Sequence, residues 1–337
     1  MEKQDVHFRG GYCPIDEVSS RFHARKSDMH ADPFSDLLWM MNARTVASGG
    51  LMAGGKWALD IPAPDNVKFW GVARGSCWLK IKGVRKPIHL QCGEVVLMTA
   101  AQPVIIASDL KAPRMALQDL LSSRQGAIAY LGSGEEFFMI GGNVQLAHAN
   151  ADLLLNALAG HVHISAESRR APSLLWLLNR MIEEREEDMP GASAASSQLA
   201  HLLFIQILRA HLEGGGRVDP GWLKAVSDKR LAPALRLIHS DPGRTWPLET
   251  LARASAMSRA AFSAYFKSVA GISPVAYLTA WRMKLAERAL REERVSLSAL
   301  AQRLGYGSDS AFSNAFKRLT GVSPSHYRNA HAIDGEG

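Results

Sequence analysis

The apolar residues of the C-terminal third fall on helical spacing twice over. Phe262, Phe266 and Val269 recur at i, i+4 and i+7, and Phe312, Phe316 and Leu319 repeat that stripe 50 residues later. Each stripe predicts one buried helix face with polar side chains on the opposite side. Ser258 and Ser308 stand where an N-cap is wanted, and Gly271 and Gly321 where a left-handed residue would end the helix. Ahead of each stripe, Leu248–Ala254 and Leu297–Leu304 predict a shorter helix with Leu and Ala on one face. The turn between such helices asks for tolerance of positive φ; the second copy supplies Gly305, the first only Ala256. Ser273-Pro274 and Ser323-Pro324 start a further helix, with proline in its first turn. From Pro274 to Arg291 no internal Gly or Pro intervenes, which predicts a long connecting helix.

The N-terminal half carries a different pattern. Short apolar or alternating runs between about 43 and 107 are punctuated by Gly49-Gly50, Gly54-Gly55, Pro64-Asp65, Gly75, Gly83 and Gly93. They predict short β-strands forming a sandwich or barrel. Cys77, Leu79 and Ile81 line the apolar side of one strand, and Ile88, Leu90 and Cys92 that of the next. A hairpin turning about 83–86 pairs 82 with 87, 79 with 90 and 77 with 92. That register sets Cys77 opposite Cys92 as a candidate redox pair, two small buried hydrophobes being the plainer alternative. Two helices follow. Leu174, Leu175, Leu177, Leu178, Met181 and Ile182 form one broad stripe, and 196–212 is apolar almost all round. Such a helix is buried on more than one side, within its own core or against a second copy. Gly214-Gly215-Gly216 makes a short flexible joint after it.

The C-terminal repeat runs deeper than its stripes. Leu251-Ala252 matches Leu300-Ala301; after one inserted residue, Ala261-Phe262-Ser263 matches Ala311-Phe312-Ser313, Phe266-Lys267 matches Phe316-Lys317, and Tyr277 matches Tyr327. Two copies are too few for a solenoid, so a duplicated functional unit is the better reading. Charge agrees. Residues 229–331 hold 16 Lys+Arg against 6 Asp+Glu, and the remaining chain 23 against 26, so this third carries all of the +7 excess. That is the footprint of a domain that binds a polyanion. Three cysteines, Cys13, Cys77 and Cys92, are unlike a secreted disulfide framework, and no apolar run is long enough to span a bilayer. The expected location is the cytoplasm.

The doubled units, each closing on Gly-[Ile/Val]-Ser-Pro-x-x-Tyr, resemble the DNA-binding domain of the AraC/XylS family of bacterial regulators over residues 228–331. The β-rich half, with its Gly141–Asn150 segment, resembles the cupin-like sensor domain that precedes it in one subgroup. The expected fold is therefore a two-domain α+β protein: a cupin-like β-barrel or sandwich with a helical dimerisation pair, then an all-α double helix-turn-helix domain. The expected divisions are a 1–35 extension, a 36–165 sensor, a 166–227 helical linker and the 228–331 DNA-binding domain. The resemblance implies base reading from the positions held here by Ala260, Ser263, Ala264, Ser310, Ser313 and Asn314. Among these only Asn314 offers a bidentate amide suited to adenine, while Ser pairs with several bases and Ala packs a thymine methyl. Affinity then leans on phosphate pairing by Arg259, Lys267, Lys317 and Arg318, with Arg282 and Lys284 as further candidates.

The expected function is a sequence-specific transcription regulator, dimeric, answering a small-molecule or redox signal through its N-terminal half. Its partners would be promoter DNA, an unknown effector, a second copy and, if it activates, RNA polymerase; no membrane is among them. His161-Val162-His163 with Glu167 has the H-x-H-x3-E spacing of metal-binding cupins. The flanking glycines of that pattern are replaced by Leu155 and Leu174, so neither a metal, a cofactor nor an enzyme activity is expected.

Overall fold

The computed structural model describes residues 32–122, 126–146, 148–186 and 189–332. Cys13 and most of the expected N-terminal extension lie outside them. Eleven strands build two sheets among the described residues. A six-stranded sheet has the order β11 (His161–Ile164), β6 (Val95–Met98), β3 (Val67–Arg74), β10 (Phe137–Gln145), β1 (Arg44–Gly54), β9 (Ile128–Gly132). A five-stranded sheet has the order β5 (Ile88–Gln91), β4 (Ser76–Ile81), β7 (Val104–Ala107), β2 (Ala58–Ile61), β8 (Arg114–Ala116). Their facing sides meet in one core that includes Leu59, Ile61, Leu79, Ile81 and Ile106 from one sheet and Trp70, Val96, Met98 and Met139 from the other. Of the expected cupin-like barrel or sandwich, the structure shows the sandwich.

The six-stranded sheet is buried on its other face too. Phe69, Leu97, Ile140, Val144 and Val162 join the core of helices α4 (Ala171–Glu186) and α5 (Ala192–Glu213). Burial on both faces explains why β6 and the start of β10 are unbroken apolar runs without alternation. It also decides the fate of α5. Ala200, Leu203, Phe204, Ile207 and Leu208 are fully buried within the single chain, so one face of that helix is internal core.

Two details of the β-half depart from the sequence reading. Gly49-Gly50, expected as a turn, lies inside β1 beside a bulge between Ala47 and Gly49. A Cβ at Gly50 would crowd the Phe138 ring at 2.8 Å, so this glycine serves close approach of a neighbouring side chain. The β4–β5 hairpin is shifted by two residues: Cys77 pairs with Leu90 and Leu79 with Ile88. A two-residue slip keeps every apolar side chain on the same face, so hydrophobicity could not fix it. Cys77 is buried, with desolvation pushing its thiol up to about 12, whereas Cys92 is exposed beyond the end of β5 with its Sγ 3.1 Å from the Ala73 carbonyl oxygen. The thiols do not face one another across the ladder.

The helices outside the sheets include α1 (Pro33–Met40), α2 (Leu117–Ser122) and α3 (His148–Leu155). After α5, the chain is helical to Ala332: α6 (Trp222–Ser227), α7 (Ala232–Ser240), α8 (Leu248–Ala254), α9 (Arg259–Ala270), α10 (Pro274–Glu292), α11 (Leu297–Arg303), α12 (Asp309–Thr320) and α13 (Pro324–Ala332). Helix α1 opens with Asp32 as N-cap, accepting from the Ser35 N–H at 2.9 Å, and Pro33 in its first turn. It begins within the expected extension and packs on α6, α7 and α10, tying residues 33–40 to the C-terminal half. No helix among the described residues is long and apolar enough to cross a membrane.

Candidate nucleic-acid interface

Each helix-turn-helix unit is built as its residues dictate. The first pairs α8 with α9, the second α11 with α12. Ser258 Oγ accepts from Ala261 N–H at 3.3 Å, and Ser308 Oγ from Ala311 N–H at 3.2 Å, so both N-caps are made. Gly271 and Gly321 close the helices at φ of 76° and 83°. The inter-helix turns place Gly305 at φ 77° and Ala256 at φ 52°, so the first copy accepts a strained alanine where the second has glycine.

The two aromatic cores nearly superimpose in their geometry. Phe262 and Phe266 lie 5.6 Å apart, with Phe266 edge-on to Tyr277 at 5.4 Å. Phe312 and Phe316 lie 5.9 Å apart, with Phe316 edge-on to Tyr327 at 5.4 Å. All four phenylalanines are fully buried. Leu319, expected as the last member of the second stripe, is half exposed, and Ala315 is buried in its unit's core instead. One position of the stripe is therefore filled from the neighbouring turn.

Helix α10 is shared by both units. Tyr277, Leu278 and Trp281 belong to the first core, and Met283, Ala286, Ala289 and Leu290 to the second. At 1.5 Å per residue this 19-residue helix is about 28 Å long. Arg282 locks the units further. Its guanidinium donates to the Pro242, Gly243 and Arg244 carbonyls at 2.6, 3.3 and 3.0 Å and sits over the Tyr306 ring. Lys284 is bound to the buried Glu287 at 3.2 Å. Both side chains are partly buried and held by partners within the protein, which counts against the expectation that they reach phosphate. Position along a helix did not show which carbonyls the fold would bring to Arg282, whereas Glu287 stands three residues from Lys284 on the same helix.

With the phenylalanines turned inward, the opposite faces of α9 and α12 point away from both cores. Arg259, Ala260, Ala264 and Lys267 are exposed on α9, with Ser263 half-buried between them. Ser310, Asn314, Lys317 and Arg318 are exposed on α12, with Ser313 half-buried in the matching place. The structure thus brings the ten residues to two equivalent surfaces. Arg259 pairs with Glu249 at 3.0 Å, both well exposed, an interaction weak enough to be exchanged for a phosphate. Ser310 Oγ lies 3.0 Å from the capping Ser308 Oγ, which ties it to the helix start. Lys267 and Lys317 occupy the last turn of their helices, where the helix dipole favours a cation. Arg253, exposed and lining a shallow groove with Glu249, Met257 and Arg259, is a further cation that the repeat did not single out.

The sequence reading also missed the group that anchors the first unit. Asp36 Oδ2 lies 2.8 Å from His239 Nδ1, and His239 Nε2 lies 3.0 Å from the Tyr277 hydroxyl, all of them buried. The His239 ring stacks on Trp281 at 4.1 Å and 9°. Burial, with the Asp36 carboxylate beside it, holds the Tyr277 phenol well above its ordinary value. On the surface of the same junction, Arg288 sits over the Trp39 ring and donates to the Trp39 carbonyl at 2.9 Å. A histidine on the apolar face of α7 was the one available signal. His163 of the H-x-H segment lies in β11 and meets Glu94 Oε2 at 2.8 Å, not Glu167.

Comparison with known proteins agrees with this architecture. Residues 32–213 match the cupin family and residues 251–330 match a helix-turn-helix domain family. A putative AraC-like transcription regulator from Streptomyces antibioticus is 37% identical over 297 residues, covering 88% of this chain and 98% of the relative. The HTH-type transcriptional regulator AlkR of Acinetobacter baylyi is 30% identical over 285 residues, covering 81% and 91%. Among solved structures, the DNA-binding domain of AdpA in complex with a target DNA is 30% identical and covers 31% of this chain and 98% of that one, with a TM-score of 0.29. Two exposed helix faces on duplicated units, behind a cupin-like half, together with relatives matched over nearly their whole length, place this chain in the AraC family of DNA-binding transcription regulators.

Proposed function

We propose that the chain is a dimeric, sequence-specific regulator that reads promoter DNA with α9 and α12 and responds to a small molecule held in its β-half. The observation that carries the DNA-reading step is the pair of equivalent exposed faces hung on one shared helix. A helix of this length suits two successive major-groove entries on one side of the duplex. Asn314 reads a base, and the Ser and Ala positions contribute modest discrimination. Lys267, Lys317, Arg318 and Arg259 contact phosphates. Asn314→Ala is expected to cost about 1–3 kcal/mol against the cognate base pair at one operator position only. Lys267→Ala and Lys317→Ala are expected to weaken all sequences equally and to lower the salt slope by about 1 each. Competition binding against operator variants and random duplex checks both. An equal loss on every sequence would make Asn314 a backbone contact, and parity with random duplex would remove sequence specificity.

Small-molecule sensing is favoured over redox sensing by the displaced register of Cys77 and Cys92 and by the burial of the Cys77 thiol. Dimerisation draws on the outer side of the helical pair, where Trp176 is 60% exposed opposite the buried Leu174, Leu177 and Leu178 stripe. Trp176→Arg is expected to shift sedimentation from dimer to monomer without loss of fold. An unchanged dimer would place the interface elsewhere. If the regulator activates, RNA polymerase is its further partner.

A further inference from the structure

The space between the two sheets is not filled evenly. A cavity of 300 Å³ lies between β1, β2, β3, β9, β10 and helix α2, at the small end of ligand-pocket sizes. Its apolar walls are Leu51, Leu59, Ile61, Trp70, Leu120 and Met139. Gly49, Gly50 and Gly141 are among the lining residues. Along β10 the lining positions alternate Met139, Gly141, Asn143, so the middle of that strand presents no side chain. A Cβ at Gly141 would crowd Trp70 Cδ1 at 2.8 Å.

Only two lining side chains among the described residues carry strong polar groups. Lys68 on β3 pairs directly with Asn143 on β10, so their side chains leave the sheet on the same face as neighbours. Lys68 is half-buried and is the one charged residue of the lining. Asn143 Oδ1 is buried with no hydrogen-bond partner among the described residues. An orphaned buried acceptor beside an ammonium costs stability unless something completes it. Apolar packing alone does not require this pair at this place.

We infer that this cavity binds a small organic acid with an apolar body, its carboxylate on Lys68 and an adjacent hydroxyl or N–H donating to Asn143. A charge-assisted bond from the ammonium to a carboxylate oxygen fixes the head, the neighbouring donor completes Oδ1, and Leu51, Leu59, Trp70 and Leu120 enclose the body. A hydrocarbon would leave both polar groups unmet, and a sugar would leave the apolar walls unmatched. This assignment rests on the small-molecule sensing proposed above and names the chemistry that would serve it.

Titration calorimetry of the full chain with three probes tests it. 3-Phenyllactate carries the body, the carboxylate and the adjacent hydroxyl; 3-phenylpropionate lacks the hydroxyl; 3-phenylpropanol lacks the charge. The expected order is phenyllactate, then phenylpropionate, then phenylpropanol, each step weaker by roughly tenfold. Lys68→Met is expected to level phenylpropionate with phenylpropanol while phenyllactate keeps its hydroxyl preference, Lys68→Arg to restore much of the difference, and Asn143→Ala to erase only the preference for the hydroxyl. A cooperative thermal transition in each variant would confirm that it folds. Equal binding of all three probes by wild type and Lys68→Met would overturn the acid assignment while leaving a ligand-binding cavity. Parity of the two acids would overturn the donor contact to Asn143. Binding of none would overturn the assignment and remove the cavity as the sensing site.

Discussion

Phe312→Ala will unfold the second helix-turn-helix unit and leave the rest of the chain folded. Phe312 is fully buried in a cluster with Met283, Leu290, Leu300, Leu304, Phe316 and Tyr327, and that cluster is distinct from the one holding the first unit. Removing a buried phenylalanine costs about 3–5 kcal/mol, since the cavity adds to the lost transfer energy. A core of this size has little stability to spare. Hydrogen exchange should accelerate across residues 297–327 and stay near wild type in β1–β11, while affinity for a full operator falls to that of a single unit. Leu319→Ala is the matched control. Half exposed, it should change stability by less than about 0.5 kcal/mol despite its place in the periodic stripe. Simultaneous loosening of the sensor in Phe312→Ala would mean that the two cores are one cooperative unit.

The second large effect is expected at Asp36. Its carboxylate holds His239 Nδ1, and His239 in turn holds the Tyr277 hydroxyl, across the junction of α1, α7 and α10. Asp36→Ala is expected to cost about 2–3 kcal/mol, the upper part of the range for leaving a buried hydrogen-bonding group without its partner. The loss should appear in the first unit and in α1 together, because their side chains share one cluster with α4 and α5. Asp36→Asn keeps an acceptor for His239 and should cost less. Thermal unfolding, with exchange in residues 222–281 read separately from residues 297–327, distinguishes a local junction from a global effect. A loss confined to α1 would show that the first unit stands without it.

These effects differ because the duplicated units, alike in sequence, have different surroundings. In the first, the tyrosine hydroxyl meets His239 and through it the N-terminal helix; in the second, Arg291 of α10 donates to the Tyr327 hydroxyl. One unit is fused to the sensor core, and the other is bound to the first mainly through α10 and Arg282. A displacement of the β-half would therefore meet the first unit through packed side chains and the second through the shared helix; equal exchange changes in both units on perturbing the β-half would count against that route.

By itself the sequence determined the local structure of the C-terminal third. Caps, left-handed glycines and the Phe stripes are set by neighbours within four residues, and helices obey such short-range rules. It also marked the β-half as short strands of a barrel or sandwich, because turn residues and apolar runs mark strands wherever they finally pair. Only tertiary structure decided the register of β4 on β5, since a shift of two residues conserves every inside face. It alone decided that Leu319 stays in solvent and that Arg282 serves the loop before α8. It alone joined Asp36 to His239 across more than half the chain. Each of these depends on which distant atoms meet, and periodicity carries no record of that.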